Sequence, residues 1–85
     1  MKKTLNYKTT GTCSREIELV VDGDVIESAR FVGGCNGNTT GISALVAGMK
    51  VSDAIARLKG IRCGFKPTSC PDQLAQALEK IAAAE

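Results

Sequence analysis

Histidine and tryptophan are absent from this 85-residue chain, and its only aromatic side chains are Tyr7, Phe31 and Phe65. The lack of histidine removes Ser-His-Asp triads, Cys-His nucleophile pairs and zinc sites of the H-E-x-x-H kind. Any acid–base catalyst would have to be a carboxylate, Lys, Cys or Tyr. Any metal would be held by Cys, helped by Asp or Glu. The scarcity of rings means that the core must be mostly aliphatic. No apolar run approaches the ~20 residues that a membrane span requires, and Met1 leads into a polar segment rather than the apolar stretch of a signal peptide. A cytoplasmic protein with no membrane association is expected. A dominant charge is missing too, with 11 Lys and Arg against 9 Asp and Glu. Lys2, Lys3 and Lys8 form the only basic cluster, and no basic stripe alternates with aromatics. Nucleic acid is therefore not expected as a partner, and these lysines read as solvated residues near a terminus.

What is present is the composition of an ordinary globular protein, 44% hydrophobic and 24% charged. The length fits one domain, 1–85, close to the size at which a lone apolar core only just suffices. A chain this short gains much from a bound metal.

The first half reads as strands and the second as helices. Leu5, Tyr7 and Thr9 alternate with polar Asn6 and Lys8, and Ile17, Leu19 and Val21 with Glu16, Glu18 and Val20, the pattern of half-buried strands. Asp22-Gly23-Asp24 is turn chemistry. A three-residue loop there would align Val25, Ala29 and Phe31 with Ile17, Leu19 and Val21. A two-residue loop would bring Ile26, Ser28 and Arg30 to that face instead. The longer loop is the expected one, although Glu27 fits either register poorly. After Gly33-Gly34 the period becomes helical. Ile42, Leu45, Val46 and Met49 form one stripe that ends at Gly48. Ala54, Ile55 and Leu58 form a second, with Ser52 as N-cap and Gly60 as stop. Leu74, Ala77, Leu78 and Ile81 form the third. Because a residue before proline avoids helical geometry, Cys70 is the expected N-cap and Pro71 the first helical residue, with Ser69 and Asp72 suiting a cap shifted by one. The expected fold is α+β: a three-stranded antiparallel sheet packed against about three helices.

The four cysteines, Cys13, Cys35, Cys63 and Cys70, carry the chemistry. None falls inside a predicted strand or helix on an apolar face, where a structural cysteine would act as a small hydrophobe. Cys13 sits in the turn Gly11-Thr12-Cys13-Ser14, and Cys35 in Gly33-Gly34-Cys35-Asn36-Gly37-Asn38. Cys63 and Cys70 flank the loop before the third helix. Cys35 and Cys70 stand near helix N-termini, where unpaired N–H groups and the helix dipole favour a thiolate. In a reducing cytoplasm such a set points to metal or redox chemistry rather than structural disulfides. Four thiolates on one divalent ion make a closed tetrahedral site. The expected cofactor is zinc or an iron–sulfur cluster, held by Cys13, Cys35, Cys63 and Cys70. The spacing lacks any C-x-x-C pair and leaves open a thiol-redox role, for which Cys63 and Cys70, with six residues between them, are the candidate pair. Gly33 to Asn38 is not a phosphate-binding P-loop, since no lysine follows in the G-x-x-x-x-G-K-[ST] pattern. Asp22 and Asp24 read as a solvated hairpin turn.

Thr68-Ser69-Cys70-Pro71-Asp72, Phe31-Val32-Gly33-Gly34-Cys35-Asn36-Gly37-Asn38, Gly60-Ile61-Arg62-Cys63-Gly64 and Gln73-Leu74-Ala75 together resemble the TSCPD domain over nearly the whole chain. The resemblance implies a small protein whose four cysteines bind metal. Related domains occur at the C-terminal end of vitamin-B12-dependent ribonucleotide reductases. The likeness therefore implies another metalloprotein or a ribonucleotide reductase as partner, and attaches reductase activity and nucleotide binding to such chains. The barrel, radical cofactor and nucleotide site of that reaction need far more than 85 residues. A non-catalytic module is the expectation. The element order also resembles the U-type iron–sulfur cluster scaffold proteins, in which three antiparallel strands precede helices and three cysteines meet at one end. Cys13, Cys35 and Cys70 match those positions. Arg15 stands where the scaffold has Asp, and Ser69 where it has His. The segment from Cys63 to Pro67 replaces its Leu-Pro-Pro-Val-Lys. Cys63 would then supply a fourth ligand and close the site.

Overall fold

The computed structural model describes residues 2–9, 11, 14–33, 36–62 and 68–83. Strands β1 (Lys2–Lys8), β2 (Ser14–Asp22) and β3 (Val25–Gly33) precede helices α1 (Asn36–Val46), α2 (Val51–Leu58) and α3 (Cys70–Ala83). The strands form one antiparallel sheet in the order β1-β2-β3. The fold is α+β, as the change of period after Gly33 implies.

Alternation decides which side of the sheet is covered. Ile17, Leu19 and Val21 on the central strand are almost fully buried, joined by Ile26 and Ala29 of β3 and half-covered by Leu5, Tyr7 and Phe31. Lys2, Thr4, Asn6 and Lys8 of β1 point to the other, solvated face. That face carries the Lys2–Glu27 and Arg30–Glu18 ion pairs, both exposed. Pairs of this kind contribute little to stability, so the covered face carries most of it.

The β2–β3 hairpin corrects the expected register. Asp22 pairs with Val25 and Val21 with Ile26, so the turn holds only two residues, Gly23 and Asp24. Gly23 has φ +64°, and among the described residues no non-glycine residue has a positive φ, the pattern of a turn that requires glycine at its first central position. Past Ile26 the register shifts: Val20 pairs with Ser28, Leu19 with Ala29 and Ile17 with Phe31. Glu27 is thus the extra residue of a β-bulge. The bulge reconciles the two registers, with Ile26 inward before it and Ala29 and Phe31 inward after it. Glu27 fitted neither pattern because it belongs to neither.

Helix α3 covers β1 and β2, α1 packs on β3, and α2 packs on α3. Leu74, Ala77, Leu78 and Ile81 are buried as their spacing predicts. Three helical details differ from expectation. Leu45 is not inward but 76% exposed. Helix α2 begins at Val51 rather than behind a Ser52 cap. Its preceding residue, Lys50, is extended and bridged to Val25, while Val51 N–H donates to Asp24 C=O (2.8 Å) and the Val51 side chain is buried. Pairing to the hairpin end and burial of Val51 outweigh what a serine cap at position 52 could offer. Thirdly, Cys70 lies inside α3 and Ser69 caps it, because a hydroxyl oxygen is the stronger acceptor for an unpaired helix N–H. Among the described residues no helix is long and apolar enough to cross a membrane.

Candidate functional site

The lead-in to α3 concentrates the buried polar groups. Thr68, Ser69, Asp72 and Gln73 are all buried, and uncompensated burial of such groups would be costly. The local hydrogen bonds compensate it. Ser69 Oγ accepts from Asp72 N–H (3.1 Å) and donates to Ile61 C=O (2.6 Å). Gln73 N–H donates to Ser69 C=O (2.8 Å). The Asp72 carboxylate accepts from Thr68 Oγ1, from Gly60 N–H (2.7 Å) and from Gln76 Nε2 (2.9 Å). Gln73 Nε2 donates to Thr68 Oγ1 (3.0 Å). Among the described residues no buried side-chain polar atom lacks a partner.

These bonds hold Asp72 ionised. The Thr68 hydroxyl is the main influence lowering its pKa below the ordinary carboxylate value; Gly60 N–H, Gln76 and nearby Lys59 act in the same direction against desolvation. The position also helps, since a carboxylate in the first turn faces the positive end of the helix dipole.

The same bonds form a clamp. Gly60 and Ile61, which leave α2, are tied to Asp72 and Ser69, which open α3. The two ends of the segment that carries Cys63 are therefore held together. A second approach comes from the β1–β2 connection. Gly11 has φ +72°, and a Cβ built there would lie 2.9 Å from Thr68 Cγ2. Only glycine fits, on both backbone and steric grounds. A third comes from the sheet, where Ser14, next to Cys13, pairs with Gly33, two residues before Cys35.

Cys70 is half-buried at the first position of α3. Cys13, Cys35 and Cys63 lie outside the described residues. Among those described, no group of three or more Cys, Asp and Glu could hold a metal ion. What sequence reasoning missed is the Thr68, Gln73 and Gln76 portion of the cluster. The available signal was polar residues spaced four and five apart, Thr68, Asp72, Gln73 and Gln76, on a helix otherwise rich in Leu and Ala.

An antiparallel three-stranded sheet backed by three helices, with a thiol at the head of the last helix and a hydrogen-bonded polar lead-in, defines a small α+β cysteine domain. The TSCPD domain family model matches residues 2–82, and the chain belongs to that family. The geometry accounts for four of the five letters: Thr68 and Asp72 bond each other, Ser69 caps, and Pro71 falls in the first turn, where its missing N–H costs nothing. No curated protein and no solved structure matches the chain.

Proposed function

We propose that this protein is a cysteine-ligated metal-binding domain, with Cys13, Cys35, Cys63 and Cys70 holding zinc or an iron–sulfur cluster. The observation that carries the proposal is the convergence of the described residues next to these cysteines. Gly11 packs on Thr68, Ser14 pairs with Gly33, and Ile61 is bonded to Ser69. The described flanks of three connections that are distant in sequence, β1–β2, β3–α1 and α2–α3, thereby approach one another. The donor chemistry fits, since an all-thiolate set without histidine suits thiophilic ions. Cys70 stands at the first position of α3, half-buried at the head of the helix. A bound metal would also supply stability that a small core lacks. The cluster of Thr68, Ser69, Asp72, Gln73 and Gln76 positions the α3 end of this site and is not itself a ligand set.

As a role we propose a scaffold or carrier that serves another metalloprotein or a ribonucleotide reductase in the cytoplasm, rather than an enzyme. The clamp between Ile61 and Ser69 also favours a second reading, dithiol exchange by Cys63 and Cys70 as an accessory thiol module. Anaerobic purification followed by elemental and sulfide analysis separates the two. The metal reading predicts a stoichiometric metal or cluster that Cys70→Ser and Cys13→Ser each deplete. A metal-free protein with one defined Cys63–Cys70 disulfide after mild oxidation would favour the second reading. Four independently titrating thiols with no metal would reject both.

A further inference from the structure

The strongest unassigned feature lies away from the cysteine loops. Helix α1 leans on β3 and α2 on α3, leaving between them an open cleft of about 460 Å³ lined by Ile42, Leu45, Val46, Met49, Arg57 and Leu58. Leu45 stands at its mouth with 76% of its surface exposed. Residues 31–49 contain no Asp, Glu, Lys or Arg at all, so α1 carries no charge along its length. A solvated surface helix would carry charge on its outer face, and an apolar opening rimmed by polar groups marks an interaction site.

Charge identifies the occupant. Among the described residues, Arg57 is the one charged residue in the cleft lining. Asp53 lies one helical turn before it on α2, and both are exposed. Although (i, i+4) spacing allows them to pair, neither makes an ion pair among the described residues. An acid and a base one turn apart are complementary to the same helix running the other way. A two-fold axis beside α2 would set Asp53 of one copy opposite Arg57 of the other, twice over. Such an isologous contact is self-complementary by symmetry. It would also carry each exposed Leu45 towards the apolar cleft of its mate.

We infer that the α1–α2 cleft is a homodimer interface, closed by a second copy of this chain across a two-fold axis, with Leu45 as apolar anchor and Asp53–Arg57 pairs crossing it. This inference is independent of the metal reading, since none of its residues is a proposed ligand.

Sedimentation equilibrium of the full chain from about 1 to 100 μM tests it. The wild type is expected to dimerise. Leu45→Glu, a change at an exposed position that leaves the fold intact, should weaken the dimer at least about a hundredfold, because symmetry removes the anchor twice. Asp53→Arg and Arg57→Asp alone should each weaken it by setting like charges opposite, and the double swap should restore it. A wild type that stays monomeric throughout overturns the inference. So does a dimer indifferent to Leu45→Glu, or a double swap no better than either single change.

Discussion

Replacement of Asp72 by Asn is the sharpest probe of the α3 lead-in, because it changes charge and one donor while keeping shape. The carboxylate accepts three hydrogen bonds, from Thr68 Oγ1, Gly60 N–H and Gln76 Nε2. An amide can keep the Gly60 bond through its oxygen, but its NH₂ then faces the Gln76 NH₂ and the Thr68 hydroxyl. The Thr68 oxygen already accepts from Gln73, so it is poorly placed to accept again. Two bonds to a charged group are lost, each worth about 1.5–3 kcal/mol, but half-buried Gln76 can replace its own by turning to water. One such bond remains unreplaced, together with the lost carboxylate–dipole attraction of about 0.3–1 kcal/mol. Cheaper burial of the neutral amide offsets part of this. The net expectation is about 2 kcal/mol at pH 7, or a fall in Tm of about 8–16 °C for a domain of this size. Urea titration followed by circular dichroism reads it directly. Proton linkage supplies a second signature. The pKa of Asp72 is lower in the folded state than its ordinary value of 3.8. Its contribution is therefore full above that value and disappears as pH falls through the folded pKa. The gap between wild type and Asp72→Asn should accordingly close below about pH 3.8. A variant within about 0.5 kcal/mol of wild type at pH 7, the range of ordinary surface substitutions, would refute the reasoning. An undiminished gap in acid would refute it equally.

Ser69→Ala should cost about 1–2 kcal/mol, the value of an N-cap, and Ser69→Thr should recover most of it in the same urea assay. Gly11→Ala combines a positive φ with a Cβ 2.9 Å from Thr68 Cγ2, whereas Gly23→Ala has a positive φ and nothing within 4 Å. The first should therefore cost more than the second, which should lose only about 1–2 kcal/mol for the left-handed backbone; equal losses would mean that the contact with Thr68 carries no weight. Deletion of Glu27 removes the extra residue and leaves Ile26, Ala29 and Phe31 in one unbroken alternation facing Val21, Leu19 and Ile17. Cooperative unfolding by calorimetry should therefore be retained, whereas deletion of Ser28 instead should give no better result if Glu27 is the bulged residue.

Periodicity made the sheet and the last helix legible, because Ile17, Leu19, Val21, Leu74, Leu78 and Ile81 obey spacings that burial alone enforces. The hairpin register was not legible, since a bulge lets one strand satisfy two incompatible alternations and its marker, Glu27, reads merely as a misfit. Leu45 misled for a related reason: helical spacing reports which residues share a face, not whether the fold covers that face. The cap of α3 was ambiguous between Ser69 and Cys70, and only the geometry of the Asp72 N–H decides it. The buried Thr68–Asp72–Gln76 cluster depends on Gly60 and Ile61 arriving from a different helix, a contact that no local pattern announces. For the cysteines, placement outside predicted elements was visible in sequence. That their neighbours Gly11, Ser14, Gly33, Ile61 and Ser69 approach across these connections required the fold.

X-ray absorption at the metal edge of anaerobically purified protein bears most directly on the proposed site. For a zinc-loaded chain the account predicts a shell of four sulfur scatterers at about 2.3 Å, falling to three when Cys63 is replaced by Ser. A shell made of nitrogen and oxygen alone, or a sulfur count untouched by cysteine substitution, would contradict it.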